Sequence, residues 1–188
     1  MLTVLTLESV MEDRFIEENV KHRLILAGMS ELEEHGIADF SLRRAAVAAQ
    51  VSCAAPYRHF KSKEEYINEI ILYVGSKWEL LSKEIASIYK DDVRARVIET
   101  CIANLRFRIA NRHFPLALAH TGSGKSIEDS IIAAVEIYSQ SKKLSPEEEK
   151  LKVFFALALI SGAVSMVNEE NADTVLGLTK AKLEEEFT

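Results

Sequence analysis

Cysteine is almost missing from this chain of 188 residues. Only Cys53 and Cys101 occur, too few for a disulfide framework, so a reducing, cytoplasmic setting is the expectation. Proline and glycine are scarce as well, at three and seven, which excludes a fold made of many short strands and tight turns. Long hydrophobic runs are also lacking. The apolar run Val153 to Val167 falls short of the roughly 20 residues that span a bilayer. It therefore reads as a helix buried on both sides, and no membrane partner is expected. The opening "MLTVLTLESVMEDR" has no basic segment, so no secretory signal is read there.

An overall basic excess is missing too, since the net charge is −6. Its distribution tells more than its sum. From Ser41 to Lys63 no acidic residue occurs, while Arg43, Arg44, Arg58, Lys61 and Lys63 supply +5; the remainder therefore carries −11. One basic island on an acidic body is a localised electrostatic footprint of the kind that attracts nucleic acid.

What is abundant is helical periodicity. Ile67, Ile70, Val74, Trp78, Leu81, Ile85 and Ile88 step by three or four residues along one continuous stripe. Ile98, Ile102, Leu105 and Ile109 repeat the spacing, as do Ile127, Ile131, Ala134 and Tyr138. Start signals agree with these stripes: Asp91 or Asp92 precedes one helix, and Ser145-Pro146-Glu147-Glu148 combines a cap, a first-turn proline and a capping-box acid. The reading is an all-α fold of about nine helices without strands, with a functional boundary near Phe60 to Lys63.

Inside the basic island, Leu42, Ala45, Ala46 and Ala49 form one apolar face of a two-turn helix capped by Ser41. "QVS" then makes a short connection in which Val51 plugs the angle between two helices, and Ser52 caps a second short helix, "CAAPYRHF". Two short helices joined by a tight turn describe a helix-turn-helix. The segment "EEHGIADFSLRRAAVAAQVSCAAPYRHFKSKEEY", Glu33 to Tyr66, resembles the TetR-type (tetracycline-repressor-like) transcriptional regulators. The likeness covers Leu24 to about Ile70, and "VSCAAPYRHFKSKEE" is its most specific part.

The resemblance implies a homodimer that binds operator DNA and releases it when a small molecule enters the C-terminal part. It divides the chain into a DNA-binding domain, 1–63, and an effector-binding and dimerisation domain, 64–188. Under it, Tyr57, His59 and Lys63 touch phosphates and the helix Ser52 to Phe60 enters the major groove, where phosphate contacts position and base contacts specify. Cys53, Ala54 and Ala55 offer small faces to thymine methyl groups, and Arg43 and Arg44 reach guanine or phosphate. With Ser41, Ser52, Arg58 and Lys61 these residues make up the expected DNA-facing set. Three features depart from the family pattern. Gln50 stands where a turn glycine is usual, and a left-handed conformation there costs about 1 kcal/mol. Pro56 removes a helical hydrogen bond, and the leader carries Glu8, Glu12, Asp13, Glu17 and Glu18 in place of a basic arm.

A competing motif lies at Ala119 to Ser126, "AHTGSGKS", which fits the loose form of a phosphate-binding loop. Such a loop requires a parallel sheet behind it, and the helical surroundings supply none. Ser126-Ile127-Glu128-Asp129 also reads as a capping box whose acids repel a triphosphate. The stretch is therefore read as an inter-helix loop. Effector contacts are expected among Trp78, Phe107, His113, Phe114, His120 and Tyr138 on the middle helices. The subunit interface is expected at Phe155, Leu159, Gly162, Ala163 and Met166, with Leu151 and Phe154 packing internally. No catalytic residue, metal site or cofactor is read, and the resemblance implies a ligand-responsive transcriptional repressor. The alternatives are a nucleotide-binding enzyme centred on Lys125 and a helical interaction protein without DNA binding.

Overall fold

The computed structural model describes residues 3–112, 126–168 and 170–188. Among them eight helices occur and no strand: α1 Thr3–His35, α2 Leu42–Ala48, α3 Ala55–His59, α4 Lys63–Ile88, α5 Val93–Ala110, α6 Asp129–Lys142, α7 Pro146–Met166 and α8 Ala172–Glu186. The expected count of nine is thus eight over the described residues. The chain forms two compact units that divide inside α4, between Tyr73 and Val74.

Helix ends follow local chemistry. Gly36 terminates α1 with φ of 71°, its N–H donating to the Leu32 carbonyl at 2.9 Å, the left-handed ending that glycine adopts without penalty. Asp92 caps α5 by accepting the Ala95 N–H at 2.8 Å. Ser145 and Glu148 close a reciprocal capping box at the start of α7, at 3.3 and 2.7 Å. The backbone N–H of Ser145 and its hydroxyl hold the Glu148 carboxyl below its ordinary range.

The core of the first unit joins α1, α2 and α4. Tyr66 stacks on Phe60 with centroids 4.2 Å apart and meets Phe40 edge-on at 5.3 Å, both favourable ring geometries. Its hydroxyl donates to the Leu24 carbonyl, and burial pushes the phenol well above its usual range. Leu24, Ile70, Ala45 and Ala46 complete the interior. A Cβ on Gly28 would lie 2.6 Å from Ile70 Cδ1 and 3.0 Å from the Tyr66 ring, so α1 approaches α4 closely only because position 28 is bare.

In the second unit α5 packs against α6, α7 and α8. Val97, Ile98, Cys101, Ile102 and Leu105 of α5 meet Ile131, Ala134, Val135 and Tyr138 of α6, Ala156, Ile160 and Ala163 of α7, and Leu183 with Phe187 at the end of α8. Burial of this kind contributes about 25 cal/mol per Å² of apolar surface removed from water. It also pushes the Cys101 thiol up to about 12. Arg94 donates to the carbonyls of Glu184 and Phe187, a cation satisfying the unpaired C-terminal acceptors of α8. No described helix is long and apolar enough to cross a membrane.

Two packing expectations are corrected. The α4 stripe ends at Ile85, and Ile88 is 64% exposed, because the helix stops there and no described element covers its last turn. Among the described residues, helix α7 is covered on one side only. Ala156, Ile160 and Ala163 are buried, whereas Leu151 and Phe154, expected inside, are exposed at 68% and 72%. The inward row, Ala156, Ile160 and Ala163, steps by four and three residues and packs into one cluster with α5 and α6.

Candidate functional site

The geometry of the helix-turn-helix is set from its turn. Helix α2 begins at Ser41, whose hydroxyl accepts the Arg44 N–H at 3.4 Å. It ends at Ala49, and Gln50 follows with φ of 56°. The N–H of Gln50 reaches the Val47 carbonyl and that of Val51 the Ala46 carbonyl, each at 3.0 Å. The left-handed turn expected at Gln50 is present, taken by a residue with a Cβ. Val51 is half-buried after it.

Helix α3 starts later than Ser52. A backbone turn, Ala55 N–H to the Ser52 carbonyl at 2.9 Å, precedes it, and the assigned cap is Ala54 without a side-chain bond. The expectation that Ser52 caps α3 is corrected accordingly: the intervening turn is closed by backbone, which leaves the Ser52 hydroxyl outside. Pro56 occupies the second helical position, where the missing N–H has no intrahelical partner to lose. The predicted loss of a helical bond at Pro56 therefore does not occur.

These constraints sort the candidate residues by orientation. Ser52, Cys53, Ala54, Tyr57 and Arg58 are exposed, as are Arg43 and Lys61. Ala55 is buried against the unit's core and so is not part of the outward surface with Cys53 and Ala54. His59 is half-buried beside the Phe60 ring. Among the described residues, no hydrogen bond or ion pair engages the side chains of Arg43, Arg58 or Lys61. The outward face thus combines three unengaged cations with the 68% exposed ring of Tyr57.

Two members of the set are tied into the fold instead. Arg44 donates through Nε and Nη2 to the Glu31 carboxylate and through Nη2 to the Asp39 carbonyl. Lys63 donates to the Ala38 carbonyl at 3.1 Å and lies over the Phe40 ring. Glu31, only 6% exposed, is the residue that sequence reasoning missed. Burial raises its carboxyl, but hydrogen bonds from Arg44 and the Ser41 N–H, together with the positive charge of Arg44, outweigh that and hold it below the ordinary range. The hydrogen bond that Arg44 donates to Glu31 raises Arg44 in turn. No local pattern marks this pair, because its members lie thirteen residues apart on different helices.

The second unit holds a cavity of about 490 Å³ bordered by α4, α5 and the start of α6. Trp78 lines it, with Ala86 and Ala133 as the other apolar contributors. Phe107 does not line the cavity and packs on the Trp78 ring at 5.2 Å. Tyr138 is elsewhere, edge-on to Phe187 with its hydroxyl donating to the Thr188 carbonyl at 2.8 Å. His113, Phe114, His120, and the stretch from Ala119 through Lys125 lie outside the described residues. Ser126, the last residue of that motif, donates its N–H to Asp129 at 2.8 Å, the reach-back expected of a capping acid. The Ser126 hydroxyl meets the Glu128 N–H at 3.2 Å. Of the expected interface residues, Gly162 and Met166 are exposed and Phe155 and Leu159 half-buried, while Ala163 faces the core.

Among the described residues the chain is all-helical, with a helix-turn-helix in its first unit and a cavity in its second. Residues 24–70 match the model of the bacterial regulatory proteins of the tetR family. Solved structures carry the same fold across nearly the whole chain. FadR of Bacillus subtilis, crystallised with stearoyl-CoA, is 14% identical with a TM-score of 0.63, over 89% of this chain and 97% of its own. A TetR-like transcriptional regulator from Rhodococcus sp. RHA1 is 19% identical with a TM-score of 0.60, over 89% and 92%. A transcriptional regulator from Aquifex aeolicus VF5 is 21% identical with a TM-score of 0.56, over 88% and 96%. No curated protein matches the chain in sequence.

Proposed function

We propose that this chain is a ligand-responsive transcriptional repressor that binds palindromic operator DNA as a homodimer. Residues 1–63 serve DNA binding, and 64–188 serve effector binding and dimerisation. The observation that carries the reading is the outward face of the helix-turn-helix: Arg43, Arg58 and Lys61, their side chains without partners among the described residues, beside exposed Tyr57, on a chain that is acidic elsewhere. Helix α3 enters the major groove, Tyr57 and the three cations contact phosphates, and Cys53 with Ala54 faces the bases. Arg44 and Lys63 hold the unit's shape and serve DNA binding through it.

The exposed apolar side of α7 supports dimerisation. Leu151, Phe154 and Met166 stand outward, with exposed Leu178 on α8, a surface that a two-fold partner would cover by self-complementarity. Effector binding shifts the population toward dimers whose α3 helices no longer match two half-sites one DNA turn apart. Repression follows from occupancy of the operator alone. That the FadR structure contains an acyl-CoA agrees with an organic effector in the second unit.

Selection of binding sites from random duplex DNA tests the proposal. The expected outcome is an enriched palindrome whose affinity falls steeply with salt, since each neutralised phosphate releases counterions. Failure to enrich any sequence, with a shallow salt slope, would leave a helical interaction protein as the better reading. ATP binding with magnesium that disappears in Lys125→Ala would favour the nucleotide-binding alternative.

A further inference from the structure

Along α5, Arg96, Thr100, Asn104 and Arg108 recur at four-residue spacing. Each step turns the helix by roughly 40° beyond a full revolution, so the four share one broad polar face. Arg96 and Thr100 line the cavity of about 490 Å³. Further along the row, Asn104 donates to the Ile127 carbonyl at 2.9 Å, yet its Oδ1 is buried without a partner, as is Nε of Arg108.

The cavity's own polar groups are unequally satisfied. Its acids are engaged: Asp129 accepts the Ser126 N–H, and Glu79 has a partner. Ser82 and Ser130 donate their protons to the carbonyls of Glu79 and Ile127, at 3.1 and 2.8 Å, which leaves their oxygens as acceptors. By contrast, Lys83 and Arg96 make no ion pair among the described residues, and Thr100, 5% exposed, makes no hydrogen bond there. Buried polar groups are rarely left unpaired without reason.

We infer that the cavity binds a compact, hydroxylated organic anion, a hydroxy acid. The carboxylate pairs with Arg96 and Lys83, charge-assisted bonds being the strong ones, and ligand hydroxyls bond Thr100 and the acceptor oxygens of Ser82 and Ser130. Trp78, Ala86 and Ala133 meet the carbon skeleton. This inference rests on the reading of the second unit as an effector domain and names the ligand class for it.

The test titrates the full-length protein with malate, citrate and gluconate. Hexanoate supplies charge without hydroxyls, glucitol hydroxyls without charge, and stearoyl-CoA the contrasting amphiphile. At least one hydroxy acid is expected to bind with Kd below about 1 mM, with hexanoate and glucitol at least tenfold weaker. Arg96→Gln and the surface variant Lys83→Gln should each weaken that binding about tenfold, while Thr100→Val weakens the hydroxy acid and leaves hexanoate unchanged. Thermal melts of each variant establish that it remains folded. Absence of binding by all three hydroxy acids, equal binding of glucitol, or binding untouched by both charge variants overturns the inference. Operator release by stearoyl-CoA alone would sink it while sparing the effector reading. Hydroxy-acid binding that leaves DNA affinity unchanged would do the reverse.

Discussion

In the first unit the helix-turn-helix exposes three cations, Arg43, Arg58 and Lys61, whose side chains make no hydrogen bond or ion pair among the described residues; in the second, α7 and α8 expose the apolar side chains of Leu151, Phe154, Met166 and Leu178. Interiors do not make this distinction, since both units bury aromatic and aliphatic side chains on helical faces. The first surface is one that water solvates well and that only an anion improves upon. The second is one that water solvates poorly and that another apolar surface improves upon. Helices of the same kind thus present two surfaces of opposite solvation by what they leave outside.

The comparison breaks first if the two sides of α7 are alike. Ile160 lies in the core, so Ile160→Ala should cost about 2–5 kcal/mol in chemical denaturation, with the dimer still formed in sedimentation. Phe154→Asp on the opposite side should leave the fold intact and cost about 2–4 kcal/mol of dimer stability. A monomer–dimer equilibrium unmoved by Phe154→Asp would remove this side of α7 from the interface.

For the first unit, Arg58→Ala should weaken operator binding about tenfold at low salt, with a loss close to uniform across sequences. It should also reduce the slope of log affinity against log salt by about one. Arg44→Ala should act differently, by lowering the stability of the unit, because its guanidinium serves Glu31. Anisotropy titrations across salt concentrations, paired with melts, separate the two behaviours.

Acid provides a sharper probe of that clamp. The Glu31 carboxyl is held below its ordinary value in the folded state. Its contribution is therefore fully present above the unfolded carboxylate pKa of about 4.3 and is lost as pH falls through the lower folded value. Wild type and Glu31→Gln should differ in stability at pH 7 and converge in strong acid; a constant difference would mean that the carboxylate charge is not what matters. The smallest effect is expected at the turn. Gln50→Gly should raise stability by up to about 1 kcal/mol, since glycine takes a positive φ freely.

Much of this is legible in the sequence. Ser41, Asp92 and Ser145 act as caps, Gln50 turns left-handed, and the stripes through Ile70, Ile102 and Ile131 are buried, because each depends on neighbours within a few residues. The candidate site was legible only as a list. That Ala55 turns inward while Tyr57 and Arg58 turn outward depends on the angle at which α3 begins, one backbone turn after Ser52. Helix α7 shows the same boundary from the other side: an uncharged run reports that covering is needed, and says nothing about which side its own chain covers.

Composition and periodicity by themselves determined that this protein is helical, that its basic charge is concentrated between Ser41 and Lys63, and that a helix-turn-helix carries it. Those properties arise from short-range interactions, in which caps, spacing and turn residues lie within one or two helical turns of one another. Only the tertiary structure decided which cations remain free, because Glu31 claims Arg44 and the Ala38 carbonyl claims Lys63 across separate elements. It alone also decided that Arg96 and Thr100 line a cavity while Tyr138 packs against Phe187. Pairings between distant segments depend on how helices cross, and no local pattern records that.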